Sequence, residues 1–266
     1  MPELPEVETI RRGLLPLLVG RRFVGSGSHP SAKFLPATQV VGAVVQNVDR
    51  RGKYLLLALD DRRRMVLHLG MTGQLGFAPI GDPLDPYARA WWHLDDDRTL
   101  VFRDVRRFGR IAVVGAGRTG PAALAALGPE PFDPAFTAEG LWLDLRGSRV
   151  RVKTQLLGQR VVAGIGNIYA DEALWRAGIH PASRRVSRPA AGRLHQAIVT
   201  VLDEAIRHGG TTLRDYRTVD GGSGRNQHRL DCYGRAGQPC RRCGQALGRM
   251  VLDGRSTTSC SSCQRR

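Results

Sequence analysis

The sequence predicts an α+β chain of several domains, and three changes of texture along it carry that reading. Short β-rich runs fill the region from about Phe23 to Val114, helical periodicity dominates the middle, and all five cysteines fall in the last thirty-five residues. The 266 residues leave room for about two domains of ordinary size, at roughly 150 residues each. A hydrophobic content of 42% is enough to build proper cores.

The first element is a helix. Val7, Ile10, Leu14 and Leu17 fall roughly on one helical face. Pro5 suits a first turn by its fixed φ, and Glu6 by its charge at the positive end of the dipole. The β region follows, as VVGAVVQNV, YLLLAL, MVLHL, WWHL, TLVF and IAVV. Gly, Asp and Pro clusters separate these runs, as in a sandwich or barrel. GPEPFDP, from Gly128 to Pro134, reads as a linker, and helical stretches follow at Asp171 to Ala177 and Ala190 to His208. The last thirty-five residues hold seven arginines and one acid among many Gly and Ser. Domain boundaries are therefore expected at 1–130, 131–231 and 232–266.

Charge narrows the class of partner. Forty basic against twenty-four acidic residues leave a net charge of +16 and a pI near 10.9. Such an excess favours a polyanion, because neutralised phosphates release counterions and supply sequence-independent affinity. A membrane surface is the rival, but the sequence has no basic amphipathic helix with a bulky apolar face. Nor does any apolar run approach the ~20 residues that span a bilayer. PELPEVE stands where a signal peptide would carry a basic and then an apolar stretch. A cytosolic nucleic-acid-binding protein is expected. Thirty-seven of the forty basic residues are arginine, an excess that biased codon usage accounts for, and Lys33, Lys53 and Lys153 stand out against it.

Cys240, Cys243, Cys260 and Cys263 form C-x2-C-x16-C-x2-C. Two close pairs of thiolates suit one tetrahedral zinc, each pair gripping the ion from a tight turn. Disulfides are the competing reading, disfavoured in a reducing cytosol. With four protein ligands the site has no open position, so the zinc is expected to be structural. Arg241, Arg242, Arg249 and Arg255 lie on the same module, suited to phosphates. Cys232 falls outside the pairing and reads as a buried spectator.

The other signal is the N-terminus. Removal of Met1, permitted by a small second residue, would give Pro2 a free secondary amine. An α-amine titrates near 7.7–8.0, so roughly a tenth is neutral at pH 7, far more than for a lysine. Such an amine is a ready nucleophile toward an aldehyde-like carbon. Glu3 and Glu6 beside it could move protons to a sugar oxygen or a leaving base. Taken alone, the same acids and prolines also describe a helix cap.

MPELPEVET at the start and the four-cysteine ribbon at the end together resemble the formamidopyrimidine-DNA glycosylase family. Between them RRGKYLLL, HLGMTG, DVRRFG, GIGNIYADEALWRAGIHP, GGTTLRDY and YGRAGQPC follow in the family's order. The resemblance spans essentially the whole chain. It implies an N-terminal helix with a β-sandwich, a helical helix-two-turn-helix domain and a C-terminal zinc-finger β-hairpin, with duplex DNA held in the cleft between domains. It also implies a bifunctional enzyme that excises oxidised purines, such as 8-oxoguanine and formamidopyrimidines, and then cleaves the strand at the abasic site. Endonuclease VIII-type action on oxidised pyrimidines is the close alternative. A non-catalytic zinc protein that binds damaged DNA is the distant one.

The same resemblance assigns roles. Pro2 attacks C1′ of the damaged nucleotide, Glu3 serves as acid and base, and Glu6 supports the site. Lys53, His68, Asn167 and Arg255 contact phosphates, with Lys53 and Arg255 counted as parts of the catalytic site. Met71, Arg106 and Phe108 fill the gap left by the flipped base, and Lys153 and Tyr169 join the DNA-binding set. A base removed at C1′ must first leave the stack, so such a plug is chemically required. Read without the family, Met71 and Phe108 suit a core, His68 a satisfied strand position, and Asn167 a helix cap. Gly221, Gly222 and Gly224 are assigned to a loop covering the flipped base, although glycines also mark plain surface loops. Asn226 departs from the pattern, standing where an aromatic is expected, as does Cys232 in place of the usual valine. The protein is expected to be monomeric, cytoplasmic and nucleoid-associated in a bacterium.

Overall fold

A computed structural model describes residues 2–118 and 120–265. The chain forms two compact units. One takes in the chain up to Ala126 together with His208–Gln227, the other Leu127–Arg207 with His228–Arg266.

The first unit opens with helix α1, Leu4–Leu18. Val7, Ile10 and Leu14 are buried as the periodicity predicts, but Leu18 closes the stripe and Leu17 is exposed. Leu18 lies eleven residues beyond Val7, about three full turns, so it returns to the same face. Strands β1 (Phe23–Ser28), β2 (Val45–Arg51), β3 (Tyr54–Leu59), β4 (Arg64–His68), β5 (Gln74–Pro79), β6 (Ala88–Leu94), β7 (Arg98–Arg103) and β8 (Arg110–Val114) follow, then a short helix α2 (Ala122–Ala125). They form two antiparallel sheets, ordered β1-β6-β7-β5 and β2-β3-β4-β8. β3 alternates half-buried and buried positions, as a strand with one face on the core should. Leu55, Leu57, Met65 and Leu67 from one sheet share a core with Trp92, Leu94, Leu100 and Phe102 from the other. This is the expected sandwich.

Two strands carry no clear sequence signal, because glycine interrupts them. In β1, a Cβ at Gly27 would stand 2.1 Å from the Trp91 ring, so the residue is small to admit the indole. β5, QLGFAP, is broken in the same way by Gly76. The run VVGAVVQNV is only half strand. Val40 ends a 3-10 turn, and Gly42, at φ +90°, reverses the chain before β2 begins.

The units cut the chain differently from the boundaries 1–130, 131–231 and 232–266. Residues 208–227 pack with the first unit, where Tyr216 is buried in its core and Val219 rests against it. That packing is tertiary, and no local pattern encodes it.

The second unit holds helices α3 (Ala138–Arg146), α4 (Val152–Leu157), α5 (Asn167–Ala177) and α6 (Arg188–Arg207), then the hairpin β9 (Gly248–Leu252) and β10 (Arg255–Ser259). Thr137 caps α3 by accepting the Gly140 N–H at 3.0 Å. Gly178, at φ +70°, ends α5 in the left-handed conformation that closes many helices. Leu141, Leu156, Leu174, Leu194, Ile198 and Leu202 join the four helices in one core. Among the described residues no helix is long and apolar enough to cross a membrane.

Candidate active site and nucleic-acid interface

In the first unit the N-terminal residues are not a loose tail. Pro2 is buried, and Glu3 and Glu6 are 2% and 1% exposed. The Glu6 carboxylate uses both oxygens on backbone donors: Oε2 accepts the Glu3 N–H and Oε1 the Thr211 N–H, each at 2.7 Å. One bond spans a single helical turn and the other reaches 205 residues along the chain. Gly210, at φ +80°, lies directly against Glu6, where a Cβ would come within 2.9 Å of Oε1. Charge-assisted bonds of this kind are the stronger class of hydrogen bond, and here they fix the backbone beside Pro2. Next along α1, the buried Glu8 takes hydrogen bonds from Arg11, Arg12 and Arg50. Burial pushes its carboxyl up, but the Arg11 and Arg12 bonds outweigh that and hold it at about 2. Arg50 thereby ties β2 to the helix.

Lys53 sits in the two-residue turn joining β2 to β3, after Gly52 at φ +56°, and is 4% exposed. His68 ends β4, with the Tyr54 ring 4.7 Å away. Burial, with the charges of Lys53 and Arg110, lowers its pKa to about 4, so the imidazole is neutral at pH 7. Its Nδ1 accepts the Gly70 N–H at 3.2 Å. The ring proton therefore belongs on Nε2, which suits donation to an anion.

Met71, Arg106 and Phe108 are brought together by two neighbouring loops. Phe108 is 45% exposed, and the Arg106 guanidinium lies 4.7 Å from its ring centroid. Beneath them Asp104, fully buried, binds Thr72 Oγ1 at 2.5 Å through one oxygen and the Gly109 N–H at 2.7 Å through the other. Thr72 Oγ1 in turn accepts the Arg106 N–H at 3.1 Å. Gly70, at φ +65°, lets the loops touch, since a Cβ there would lie 2.5 Å from the Phe108 backbone.

The second unit carries the remaining candidates. Asn167 opens α5 and donates from Nδ2 to the Ser256 carbonyl at 2.9 Å. Arg255 is exposed at the start of β10, beside an Asp253–Gly254 turn with φ of +48° and +75°, the tight hairpin turn that Asp-Gly favours. The sulfurs of Cys240, Cys243, Cys260 and Cys263 all lie within 4.8 Å of one another. A zinc tetrahedron with bonds of about 2.3 Å needs its sulfurs about 3.8 Å apart, so the cluster fits the ion. The Trp175 indole and the Arg242 N–H donate to Cys240 Sγ at 3.4 and 3.5 Å, which favours its thiolate, and the Cys263 N–H donates to Cys260 Sγ at 3.4 Å.

Three family models match in order along the chain. They are the formamidopyrimidine-DNA glycosylase N-terminal domain over residues 1–111, its H2TH domain over 127–217, and a zinc finger found in FPG and IleRS over 237–266. A formamidopyrimidine-DNA glycosylase of Desulforamulus reducens is 46% identical over 100% of this chain and 99% of its own length. The crystal structure of the MutM (FPG) protein of Thermus thermophilus superposes with a TM-score of 0.92 at 44% identity, covering 99% of this chain and 98% of that one. A Lactococcus lactis FPG mutant solved with Fapy-dG-containing DNA gives a TM-score of 0.93 at 34% identity, with both chains fully covered. The chain belongs to the formamidopyrimidine-DNA glycosylase family.

Family membership makes the chain a DNA glycosylase, and its four cysteines are positioned to bind one structural zinc. Two of the expected DNA contacts have buried side chains in this glycosylase. The Lys153 side chain is 1% exposed and paired with Asp171 at 2.6 Å. It also donates to Thr257 Oγ1 at 2.8 Å and the Ser256 carbonyl at 3.1 Å, so it is an internal brace of the hairpin. Tyr169 is fully buried in the helical core, which leaves its ring no direct access to DNA. Among the expected cover glycines, Gly221 and Gly222 sit in an exposed turn. Gly224 is packed so tightly that a Cβ would meet the Gly210 carbonyl at 2.1 Å. Cys232 is buried, with Sγ 3.1 Å from the Thr258 carbonyl. Burial and the charges of Glu172 and Asp171 push its thiol up, so it stays protonated.

Asp104 and Asp171 were not singled out by sequence reasoning. Asp104 lies within DVRRFG, and an acid flanked by basic residues reads as a surface ion pair until its burial is seen. Asp171 binds the Thr258 N–H at 2.9 Å as well as Lys153, a pairing too distant in sequence to be read locally.

Proposed function

We propose that this chain is a bifunctional glycosylase and abasic-site lyase for oxidised purines, 8-oxoguanine and formamidopyrimidines, in duplex DNA. The observation that carries the reading is the Glu6 strap, which immobilises the backbone beside a buried Pro2. A helix cap alone has no use for a second anchor 205 residues away. With Met1 removed, the Pro2 amine bonds to C1′ of the damaged nucleotide as the base departs. The resulting iminium then permits elimination of the flanking phosphates, leaving a one-nucleotide gap. Glu3 gives and takes the protons at the sugar. Glu6, with both oxygens on backbone donors, holds the geometry. Met1 itself lies outside the described residues.

Lys53, neutral His68, Asn167 and Arg255 hold phosphates, which fix the register on DNA without reading sequence. Phe108 and Met71 replace lost stacking, while Arg106 bonds the orphaned partner base. Gly221 and Gly222 cover the flipped base, with Gly224 anchoring that turn. Cys240, Cys243, Cys260 and Cys263 would hold the zinc with no open position, so it would supply no chemistry at the sugar and would shape the hairpin that carries Arg255. The protein acts as a monomer in the bacterial cytoplasm, at the nucleoid. The deciding experiment incubates it with duplexes carrying 8-oxoguanine, an abasic site or thymine glycol. Cleavage of the first two ahead of the third is expected. A preference for thymine glycol would move the chain to the oxidised-pyrimidine branch, and binding without cleavage would make it a reader of damage only.

A further inference from the structure

Asn226 stands where the sequence pattern leads one to expect an aromatic, and its side chain has an unexpected place. It is 6% exposed, in the first unit, and Nδ2 donates to Thr211 Oγ1 at 2.9 Å. Its own N–H donates to the Gly210 carbonyl at 3.1 Å. Thr211 is the residue whose N–H binds Glu6 Oε1, and Gly210 is the residue packed against that same carboxylate. A chain of short contacts thus runs from Asn226 through Thr211 and Glu6 to the Glu3 N–H, one residue from Pro2.

The neighbouring residues repeat the pattern. The Gly224 N–H donates to Thr212 Oγ1 at 2.9 Å, and the Thr212 N–H to Gln227 Oε1 at 3.1 Å. Gln227 Nε2 closes back on the Gly224 carbonyl at 2.8 Å. Residues 224–227 therefore clasp residues 210–212 without forming a sheet, and Gly224 admits the close approach because it has no Cβ. Within this clasp Asn226 makes the side-chain bond to Thr211 itself. A phenyl ring at 226 could not donate that bond.

We propose that Asn226 is a positioning residue for the Pro2 amine, acting through Thr211 and Glu6 without touching DNA. The inference rests on the reading of Pro2 as the nucleophile. Loss of the Asn226 bond loosens the peptide that donates to Glu6, so the amine is less often aligned. Affinity for DNA is set elsewhere and does not change.

The test uses the zinc-loaded full chain and an abasic duplex with borohydride, measuring the single-turnover trapping rate at saturating DNA and the half-saturating concentration. Asn226→Ala and Thr211→Val should each slow the saturated rate about fivefold, the effect of one lost neutral hydrogen bond. Half-saturation should stay within about twofold. Because the two residues act through one bond, the double variant should be no slower than the slower single. Thr211→Ser, which keeps the hydroxyl, should restore the wild-type rate. Should Asn226→Ala fail to fold, the Val and Ser variants at Thr211 carry the same comparison. An unchanged rate in Asn226→Ala, multiplied losses in the double variant, or an effect confined to half-saturation would each overturn the proposal. A wild-type adduct mapped elsewhere than Pro2 would overturn it together with the nucleophile assignment, whereas a Pro2 adduct with unchanged variant rates overturns it alone.

Discussion

The N-terminal site and the zinc-bearing hairpin solve the problem of placing functional groups in opposite ways. Around Pro2 the anchors are buried carboxylate-to-backbone bonds, and the residues assigned to chemistry have almost no exposure. On the hairpin Arg255 is exposed, and its position depends on four cysteines, the Lys153–Asp171 pair and the Asp253 contacts with Arg151 and Thr154. The first arrangement suits a reaction at one atom, where misplacement by an ångström is costly. The second suits a polyanion, where a cation need only reach a phosphate oxygen. The contrast predicts that changes in the first region alter rate, while changes in the second alter affinity and its salt dependence.

The largest expected effect tests the rate side. Glu3→Gln should slow 8-oxoguanine excision about 10²- to 10⁴-fold, the usual contribution of acid–base catalysis. Binding of the same duplex should hardly change, and a comparable loss in affinity would erase the contrast. Next, Cys243→Ser should release the metal and weaken DNA binding at least about tenfold, because structural zinc stabilises the module that holds it. The β-rich unit should keep its own thermal transition. Normal cleavage by a metal-free chain would remove the zinc from the account. A smaller change, Arg255→Ala, should weaken binding about tenfold and make the log–log salt dependence shallower by about one. A steep loss of trapping rate at unchanged affinity would instead place Arg255 with the chemistry.

The smallest effect concerns His68. Its pKa in the fold lies near 4, below the 6.5 of a free histidine. The neutral ring therefore contributes stability that is complete above about pH 6.5 and lost as pH falls through 4. A His68→Asn variant, which cannot titrate, should lose less thermal stability than the wild type between pH 6.5 and pH 4. Parallel melting curves across that range would show that the ring is not held neutral. Its contribution to DNA binding should be flat between about pH 7 and pH 8, as for a neutral donor.

The sequence made the chemistry more legible than the packing. Cysteine spacing specified a metal site, because ligand pairs are local, and the N-terminal pattern offered an amine beside acids as well as a helix cap. The sandwich was legible from short β-rich runs such as YLLLAL, while β1 and β5 were hidden by glycines whose reason is tertiary, Gly27 beneath Trp91 above all. Lys153 and Tyr169 were assigned to DNA by their place in matching motifs, yet their side chains are buried. A position can lie in a binding motif and still serve the scaffold. The return of residues 208–227 to the first unit was illegible for the same reason, since the Thr211–Glu6 bond has no local signature.

A secondary amine at Pro2, held by the Glu6 strap, is the proposed nucleophile. Borohydride reduction during reaction with an 8-oxoguanine duplex, followed by peptide mass spectrometry, tests it most directly. One covalent adduct is expected, on the peptide beginning at Pro2, and a Glu6→Gln variant should form the same adduct more slowly. An adduct on Lys53, or strand cleavage with no trapped species, would contradict it.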